Sequence, residues 1–198
     1  NMLSPLVGYA DLLLRKLPDD SPHRTQVEKI QKAACQATLV VEDLLTLARR
    51  GRYVMKPMNL NYVVDTYLDS LNFQSLMSKY PMVTLEKRLA DELPEISASE
   101  SHLMKTIMNL VVNALQAMAG AGSLRVTTTL ASDSIEVLIA DTGPGIPEHL
   151  TGRVFEPLLT TRSENQGTGL GLCVSVEIAR EQGGTIELRH SSPAGATF

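Results

Sequence analysis

NLVVNALQAM at residues 109–118 places two asparagines four positions apart within an apolar helical pattern. Residues four apart lie on one face of a helix, so the side chains of Asn109 and Asn113 are expected to project in the same direction. Because Asn is a poor residue for a helix interior, this repetition needs an explanation. Two interpretations stand: a hydrogen-bonded pair within the fold, or an amide oxygen that helps to bind Mg²⁺, an ion that prefers oxygen ligands.

DTGPGIP at residues 141–147 directly follows an apolar strand pattern. Asp141 is therefore expected at a strand end, where its carboxylate can accept hydrogen bonds in a cleft. Gly143 and Gly145 allow a sharp turn or a close approach to a flat ligand, and a plain Gly-Pro turn is the alternative.

NQGTGLGL at residues 165–172 carries glycines at every second position and runs into a helical pattern. Free N–H groups and the positive end of a helix together favour an anion. A dinucleotide-binding turn needs a preceding strand, but this stretch follows an irregular segment, and a P-loop lysine is absent. A mobile, glycine-hinged lid fits the pattern better.

The surrounding sequence predicts a mixed domain. Helical periodicity covers residues 60–78, 99–118 and 169–182, and strand patterns cover residues 82–89, 123–130, 134–141 and 185–190. The polar sequence ASDS at residues 131–134 predicts a hairpin turn between two of the strands. The fold class is therefore α+β, a sandwich with helices on one face of a sheet.

Residues 1–52 show two helical patterns and no strand pattern. Apolar residues recur at alternating spacings of three and four, from residue 3 to 17 and again from residue 27 to 48. Two such helices joined by a short turn form an antiparallel hairpin that cannot cover both apolar stripes. A second copy would complete a four-helix bundle, so we expect a homodimer. The alternative is that the hairpin packs on its own second domain.

The composition excludes several classes of function. The 198 residues are 43% hydrophobic and 20% charged, with a net charge of −4, which is typical of a globular protein. Without a long basic run, nucleic acid is not an expected partner. Every apolar run is shorter than the ~20 residues of a membrane helix, so no membrane contact is expected. The two cysteines lie in helical patterns and are expected to be small buried residues.

The order and spacing of these stretches resemble the ATP-binding domain of sensor histidine kinases, in the superfamily of DNA gyrase, heat-shock chaperone and mismatch-repair ATPases. NLVVNALQAM resembles the N box, DTGPGIP the first glycine box, RVFEPLLTTR at residues 153–162 the F box, and GTGLGL at residues 167–172 the second glycine box. The resemblance covers residues 56–198 as an α/β sandwich. Residues 1–52 resemble the family's dimerisation and phosphoacceptor hairpin.

The resemblance implies that the domain binds ATP with Mg²⁺. It makes Asn113 the metal ligand, and it makes Asp141 the acceptor for the adenine amino group. The other implied ATP-binding residues are Asn109, Gly143, Gly145, Ile146, Phe155, Thr160, Thr161, Arg162, Gly167, Thr168, Gly169, Leu170 and Gly171.

Asn109 distinguishes branches of this superfamily. The hydrolysing branches carry a Glu at this position, four residues before the metal-binding Asn, and that Glu activates water. Asn109 cannot act as a base, which favours phosphoryl transfer to another acceptor. Gln116 stands where many relatives have a basic residue, and Leu158 and Leu159 replace aromatic residues. An ATP hydrolase of the gyrase-like branch and a degenerate nucleotide-binding scaffold that only dimerises remain alternatives.

The phosphoacceptor histidine is not found on the first helix, because the four histidines are His23, His102, His149 and His190. The opening sequence NMLSPLVGYADLLL matches the part of the family's helix that follows its acceptor histidine. We therefore expect that histidine four positions before Asn1 and interpret the chain as a piece of a longer kinase. As given, it should not autophosphorylate. The family implies a cytoplasmic location and transfer from the histidine to an Asp of a response regulator receiver domain.

Overall fold

The computed structural model describes residues 4–48, 54–160 and 167–198. Two helices come first, α1 (Ser4–Lys16) and α2 (Arg24–Ala48). The later elements, in chain order, are β1 (Lys56–Met58), α3 (Leu60–Leu68), α4 (Leu71–Met77), β2 (Met82–Arg88), β3 (Ile96–Ala98), α5 (Glu100–Ala117), β4 (Ala121–Leu130), β5 (Ile135–Asp141), α6 (Glu148–Thr151), α7 (Gly171–Glu181), β6 (His190–Ser192) and β7 (Gly195–Thr197).

Helices α1 and α2 form the expected hairpin. The guanidinium of Arg24, at the start of α2, donates to the carbonyls of Leu14 and Leu17, each at 3.3 Å. These carbonyls lie at the end of α1, where the backbone has no helical partner, so Arg24 fastens the two helices together. Ala10 and Ala34 are buried between the helices, and their small size permits close packing.

Much of the apolar stripe on the hairpin faces outward. The exposed large apolar residues of α1 and α2 are Leu6, Tyr9, Leu12, Leu13, Ile30, Leu39, Val41, Leu44 and Leu45. We call this set the hairpin face, apart from Leu39, which lies on the opposite side of α2 from Ile30. Five of its residues belong to the alternating three-and-four pattern, whereas Ala10 and Ala34 of the same pattern are buried between the helices. The pattern therefore lies partly inside the hairpin and partly on a surface that the single chain leaves uncovered.

The second part is an α/β sandwich. Its main sheet has the strand order β2-β4-β5-β7-β6, in which β2 and β4 are parallel and the other pairs antiparallel. Helix α5 covers one face of this sheet with Ile107, Val111 and Leu115, against Leu124 and Ile139. Strands β1 and β3 form a separate antiparallel pair. The predicted fold class, a hairpin followed by an α/β sandwich, is confirmed.

The hairpin also contacts its own second part. Val40 and Leu47 of α2 pack against an apolar cluster formed by Leu170, Val174 and Ile178. Beside them, Asp43 of α2 pairs with Lys105 of α5 at 2.9 Å, with only 12% and 21% of these side chains exposed. On this side, α2 therefore packs against the second domain of its own chain, which is the alternative to a dimer considered from the sequence. The hairpin face, by contrast, remains exposed.

Two predicted elements differ from the observed ones. Residues 60–78 form two helices, because the side chain of Ser70 accepts a hydrogen bond from the N–H of Phe73 and caps a new helix there. The strand predicted at residues 185–190 is observed as β6, which begins at His190. Its partner β7 is three residues long, and the pairing extends upstream only to the bond from Arg189 N–H to Thr197.

Within the described residues, four short elements escaped the sequence patterns, namely β1, β3, β7 and α6. Strands of three residues are too short to show an alternating pattern. The expectation of two buried cysteines is wrong for Cys35, which is exposed on α2, and Cys173 on α7 is only half-buried. Among the described residues, no helix is long and apolar enough to cross a membrane.

Candidate functional site

Asn109 joins α5 to the beginning of α7. Its Nδ2 donates to the carbonyl of Gly171 at 3.0 Å and to Ser175 Oγ at 3.1 Å. Ser175 is fully buried, and its own hydroxyl donates to Gly171 at 2.8 Å. Asn113 lies one turn further along α5 and is half-buried. The pair of asparagines therefore occupies the side of α5 that faces the glycine-rich stretch, and Asn109 fixes the position of α7.

The N-terminus of α7 offers N–H groups beside Asn109. The first N–H groups of a helix have no partner within it, and no capping side chain of the described residues binds those of α7. The N–H just before them, on Leu170, donates to Thr168 Oγ1 at 3.2 Å. Together with the positive end of the helix dipole, this arrangement suits an anion such as a phosphate.

Asp141 lies at the end of β5 with only 9% of its surface exposed. One carboxylate oxygen, Oδ1, accepts the N–H of Gly143 at 2.8 Å. Burial raises the pKa of Asp141 above its usual value, and the backbone N–H groups of Gly143 and Ala196 oppose that rise. The site thus presents an acceptor whose orientation is fixed by the turn that follows it.

That turn is held against β6. Gly145 has a φ of +70°, and a Cβ there would lie 2.0 Å from the carbonyl oxygen of Ser192, so only glycine fits. The N–H of Ile146 donates to Ser191 Oγ at 2.7 Å, and that hydroxyl donates back to the Ile146 carbonyl at 3.1 Å. The residues expected behind the ligand are therefore part of the rigid wall that continues the sheet.

The segment between the two glycine-rich stretches is fastened at two points. Phe155 packs edge-on against Phe198, with ring centroids 6.1 Å apart. Further along, the N–H of Leu158 donates to the carbonyl of Gly169 at 2.9 Å. A Cβ on Gly169, whose φ is +65°, would lie 2.6 Å from the Leu158 carbonyl carbon. The backbones of Leu158 and Gly169 are therefore in direct contact.

The structure brings most of the expected residues into one region around α5, the end of β5 and the start of α7. Thr160 is exposed at the edge of the described residues, and Gly167 and Thr168 lead into α7. Thr161, Arg162 and Asn1 lie outside the described residues.

Sequence reasoning missed Ser175, Ser191 and Phe198. The sequence does contain one indication that Ser175 has a structural role, because it is a polar residue four positions after Gly171 on an otherwise apolar helix face. Ser191 and Phe198 had none, because their partners are distant in the sequence.

The side chains at the site fit a Mg²⁺ ion that is bound mainly through the phosphates of a substrate. Among the described residues, no group of three or more His, Cys, Asp and Glu side chains could hold a metal. Mg²⁺ commonly keeps several waters and takes substrate phosphates with one or two protein oxygens. An amide oxygen of Asn113, one turn from the candidate phosphate site, is consistent with that pattern.

Comparisons with known proteins agree with this geometry. The family described as histidine kinase-, DNA gyrase B-, and HSP90-like ATPase matches residues 98–198. The sensor histidine kinase ZraS of Escherichia coli (strain K12) is 30% identical over 198 residues, which cover 100% of this chain and 42% of ZraS. The chain therefore spans less than half the length of this relative.

Two solved structures share the fold. Full-length ShkA in complex with AMPPNP has a TM-score of 0.76 at 23% identity, covering 99% of this chain and 42% of that one. Histidine kinase ThkA in complex with the response regulator protein TrrA has a TM-score of 0.74 at 21% identity, covering 99% of this chain and 56% of that one.

Proposed function

The chain belongs to the histidine kinase-, DNA gyrase B- and HSP90-like ATPases, and we propose that it forms the catalytic core of a sensor histidine kinase. In this proposal, residues 56–198 bind ATP with Mg²⁺, and residues 1–52 form the dimerisation and phosphotransfer hairpin. The similarity to ZraS over the whole chain supports the assignment of both parts.

We propose that the site residues take the roles that the family resemblance implies. Asp141 accepts the adenine amino group, and the wall formed by Gly143, Gly145 and Ile146 lies beside the base. The free N–H groups at the start of α7 bind the phosphates. Asn113 supplies an oxygen to Mg²⁺, which neutralises phosphate charge when bound. Phe155 anchors the segment that carries Thr160, Thr161 and Arg162.

Asn109 is the observation that favours transfer over hydrolysis. Its amide nitrogen is engaged by Gly171 and Ser175, and an amide cannot take a proton from water. A site that positions ATP without a base suits transfer of the γ-phosphoryl to a histidine imidazole. A P–N bond then forms, the bond between the γ-phosphorus and the bridging oxygen breaks, and ADP leaves with that electron pair. The phosphoryl group next passes to an Asp of a response regulator, as the complex of ThkA with TrrA suggests.

None of the four histidines lies on α1. His23, the nearest, lies in the turn between the hairpin helices. We therefore expect no autophosphorylation by residues 1–198. The proposal also includes a homodimer through the hairpin face and a cytoplasmic location, where ATP and receiver domains are available.

Titration with a fluorescent ATP analogue tests the nucleotide site. Asp141→Asn should weaken binding by about 10–100-fold, because a hydrogen bond to a charged group contributes about 1.5–3 kcal/mol. Asp133→Asn, in the exposed turn between β4 and β5, is the matched control and should bind normally. Equal binding by both variants would refute the role of Asp141.

Two further assays separate transfer from hydrolysis. We expect no steady ATP turnover by the chain and no acid-labile phosphate on it. Turnover that is lost on Asn109→Ala would favour the gyrase-like hydrolase, and incorporated phosphate would show that one of the four histidines is an acceptor.

A further inference from the structure

A cavity of about 240 Å³ opens between α3, α4 and α5. Its apolar lining comes from Leu76, Met108 and Val112. None of the seven lining residues is among those assigned to the nucleotide, although two of them, Met108 and Val112, also lie on α5. The cavity is therefore separate from the residues assigned to the nucleotide.

Tyr67 lines this cavity and is only 4% exposed. Its ring packs on Phe73 with centroids 5.4 Å apart, which fixes its position. Within the described residues the hydroxyl makes no hydrogen bond, and burial alone raises the pKa of Tyr67 to about 12. The hydroxyl borders the open cavity, where it can donate a hydrogen bond to the acceptor of a bound ligand.

The other polar lining groups are Asn72, Ser75 and Lys79. Lys79 forms no ion pair with the part of the chain that the structure describes. All four polar lining side chains can donate a hydrogen bond, and none is a carboxylate. The lining is therefore complementary to an anion, with an apolar surface beside it.

The volume indicates the size of ligand that the cavity can surround. Drug-sized ligands occupy cavities of roughly 300–1,000 Å³, and an apolar cavity of about 150 Å³ holds benzene. A space of 240 Å³ lies between these values. It fits one ring or a short alkyl chain with a single charged group.

We propose that this cavity binds a small organic monocarboxylate. Its apolar body lies against Leu76, Met108 and Val112, and its carboxylate takes hydrogen bonds from Tyr67 and Lys79. The site goes beyond the proposed kinase function, since it uses none of the nucleotide-binding residues.

Benzoate is a suitable probe, followed by NMR of the methyl groups of the 198-residue chain. We expect saturable shifts at Leu76, Met108 and Val112 with a dissociation constant of about 1 mM, typical of so small a ligand. Benzamide, which has the same shape but no charge, should bind more weakly. Shifts that do not saturate, or equal binding of benzamide, would overturn the proposal.

Two variants test the contacts. Lys79→Gln should weaken benzoate binding about fivefold, as expected for one partly exposed ionic contact. Tyr67→Phe keeps the ring and should weaken binding roughly fivefold through loss of the hydroxyl. Lys29→Gln, on the exposed surface of α2, is the matched control and should leave binding unchanged. Unchanged binding in both cavity variants, or displacement of benzoate by a non-hydrolysable ATP analogue, would contradict a separate carboxylate site.

Discussion

Gly169 shows at the residue scale how closely two segments of the chain approach beside the candidate phosphate site. Its positive φ and the nearby Leu158 backbone both exclude a side chain. We expect Gly169→Ala to destabilise the fold by about 1–3 kcal/mol, the cost of a strained backbone position. Thermal unfolding measures the loss, and ATP-analogue binding should weaken with it.

Gly152 provides the matched control for this substitution. It lies at the end of α6 with a φ of −75°, and a Cβ there would meet no atom within 4 Å. Gly152→Ala should therefore be nearly neutral. Equal unfolding temperatures for the two variants would show that the contact between Gly169 and Leu158 is unimportant.

The proposed role of Asp141 predicts a distinctive pH dependence of nucleotide binding. Its carboxylate must be ionised to accept the adenine amino group well, and burial raises its pKa above the ordinary value of 3.8. Affinity should therefore fall as the pH falls through this raised pKa, at a higher pH than for an ordinary Asp. A titration of affinity against pH measures the midpoint, and a midpoint at or below 3.8 would contradict the assignment.

The raised pKa of Asp141 also makes the free energy of unfolding depend on pH, in the direction opposite to that of nucleotide affinity. The folded state holds the Asp141 proton more tightly than the unfolded state, so ionisation destabilises the fold. This cost is absent below pH 3.8 and complete above the raised pKa. Asp141→Asn should remove this dependence from the free energy of unfolding in that window.

The sequence identified some residues of the candidate site and not others. Asp141 and the two asparagines could be singled out because their local context, a strand end or a helix face, departs from ordinary composition. Ser175 and Ser191 could not be assigned partners, since the bonds from Asn109 to Ser175 and from Ile146 to Ser191 span 66 and 45 residues. Such contacts follow from tertiary packing, which local patterns do not encode.

At the scale of elements, the ion pair between Asp43 and Lys105 joins α2 to α5. Lys105 also donates to Thr46 at 3.2 Å, so α2 supplies two partners to one ammonium. A double-mutant cycle with Asp43→Ala and Lys105→Ala should give a coupling energy of about 1–2 kcal/mol, because both side chains are largely buried. Denaturant unfolding measures this coupling.

The exposed pair of Lys87 and Asp65 is the control for this cycle. Its atoms are as close, at 2.7 Å, but both side chains are 42% exposed. Its coupling should stay below about 1 kcal/mol, as for most surface pairs. Faster hydrogen exchange in α2 of Lys105→Ala would show that the pair holds the helix in place, whereas unchanged exchange would show that the apolar contacts suffice.

Elements with a long, regular pattern were predicted well. Helix α5 and strands β2, β4 and β5 lie close to their expected positions because one face of each is buried, which imposes a period on the sequence. The division between α3 and α4 depended on the single cap at Ser70, and β6 depended on the length of its partner. Both features are decided by individual hydrogen bonds rather than by periodicity.

At the scale of the whole molecule, the hairpin face is an apolar surface that the single chain leaves uncovered. We expect the chain to dimerise through it, as the two helices require a partner hairpin to bury these residues. Ile30→Asp should weaken the dimer at least tenfold, since burial of one aliphatic side chain contributes about 1.5–3 kcal/mol. Sedimentation at several protein concentrations measures the change.

Leu130→Asp is the control, because Leu130 on β4 is 56% exposed and Ile30 is 57% exposed. It should leave dimerisation unchanged. A monomeric parent chain, or equal effects of the two substitutions, would exclude the hairpin face as the interface. The sequence predicted an apolar stripe but not which part of α2 would contact α7, because both sides of that helix carry aliphatic residues.

The parallel pairing of β2 with β4 has a consequence for how the protein folds. Helix α5 lies in the connection between these strands, and the contact from Thr84 to Gly122 already spans 38 residues. The bond from Asn109 to Gly171 spans 62. Proteins whose contacts join residues so far apart in the sequence fold slowly, and we expect these contacts to form late in folding. Nucleotide binding should therefore appear only in the final kinetic phase of refolding, and an early intermediate with secondary structure should bind none.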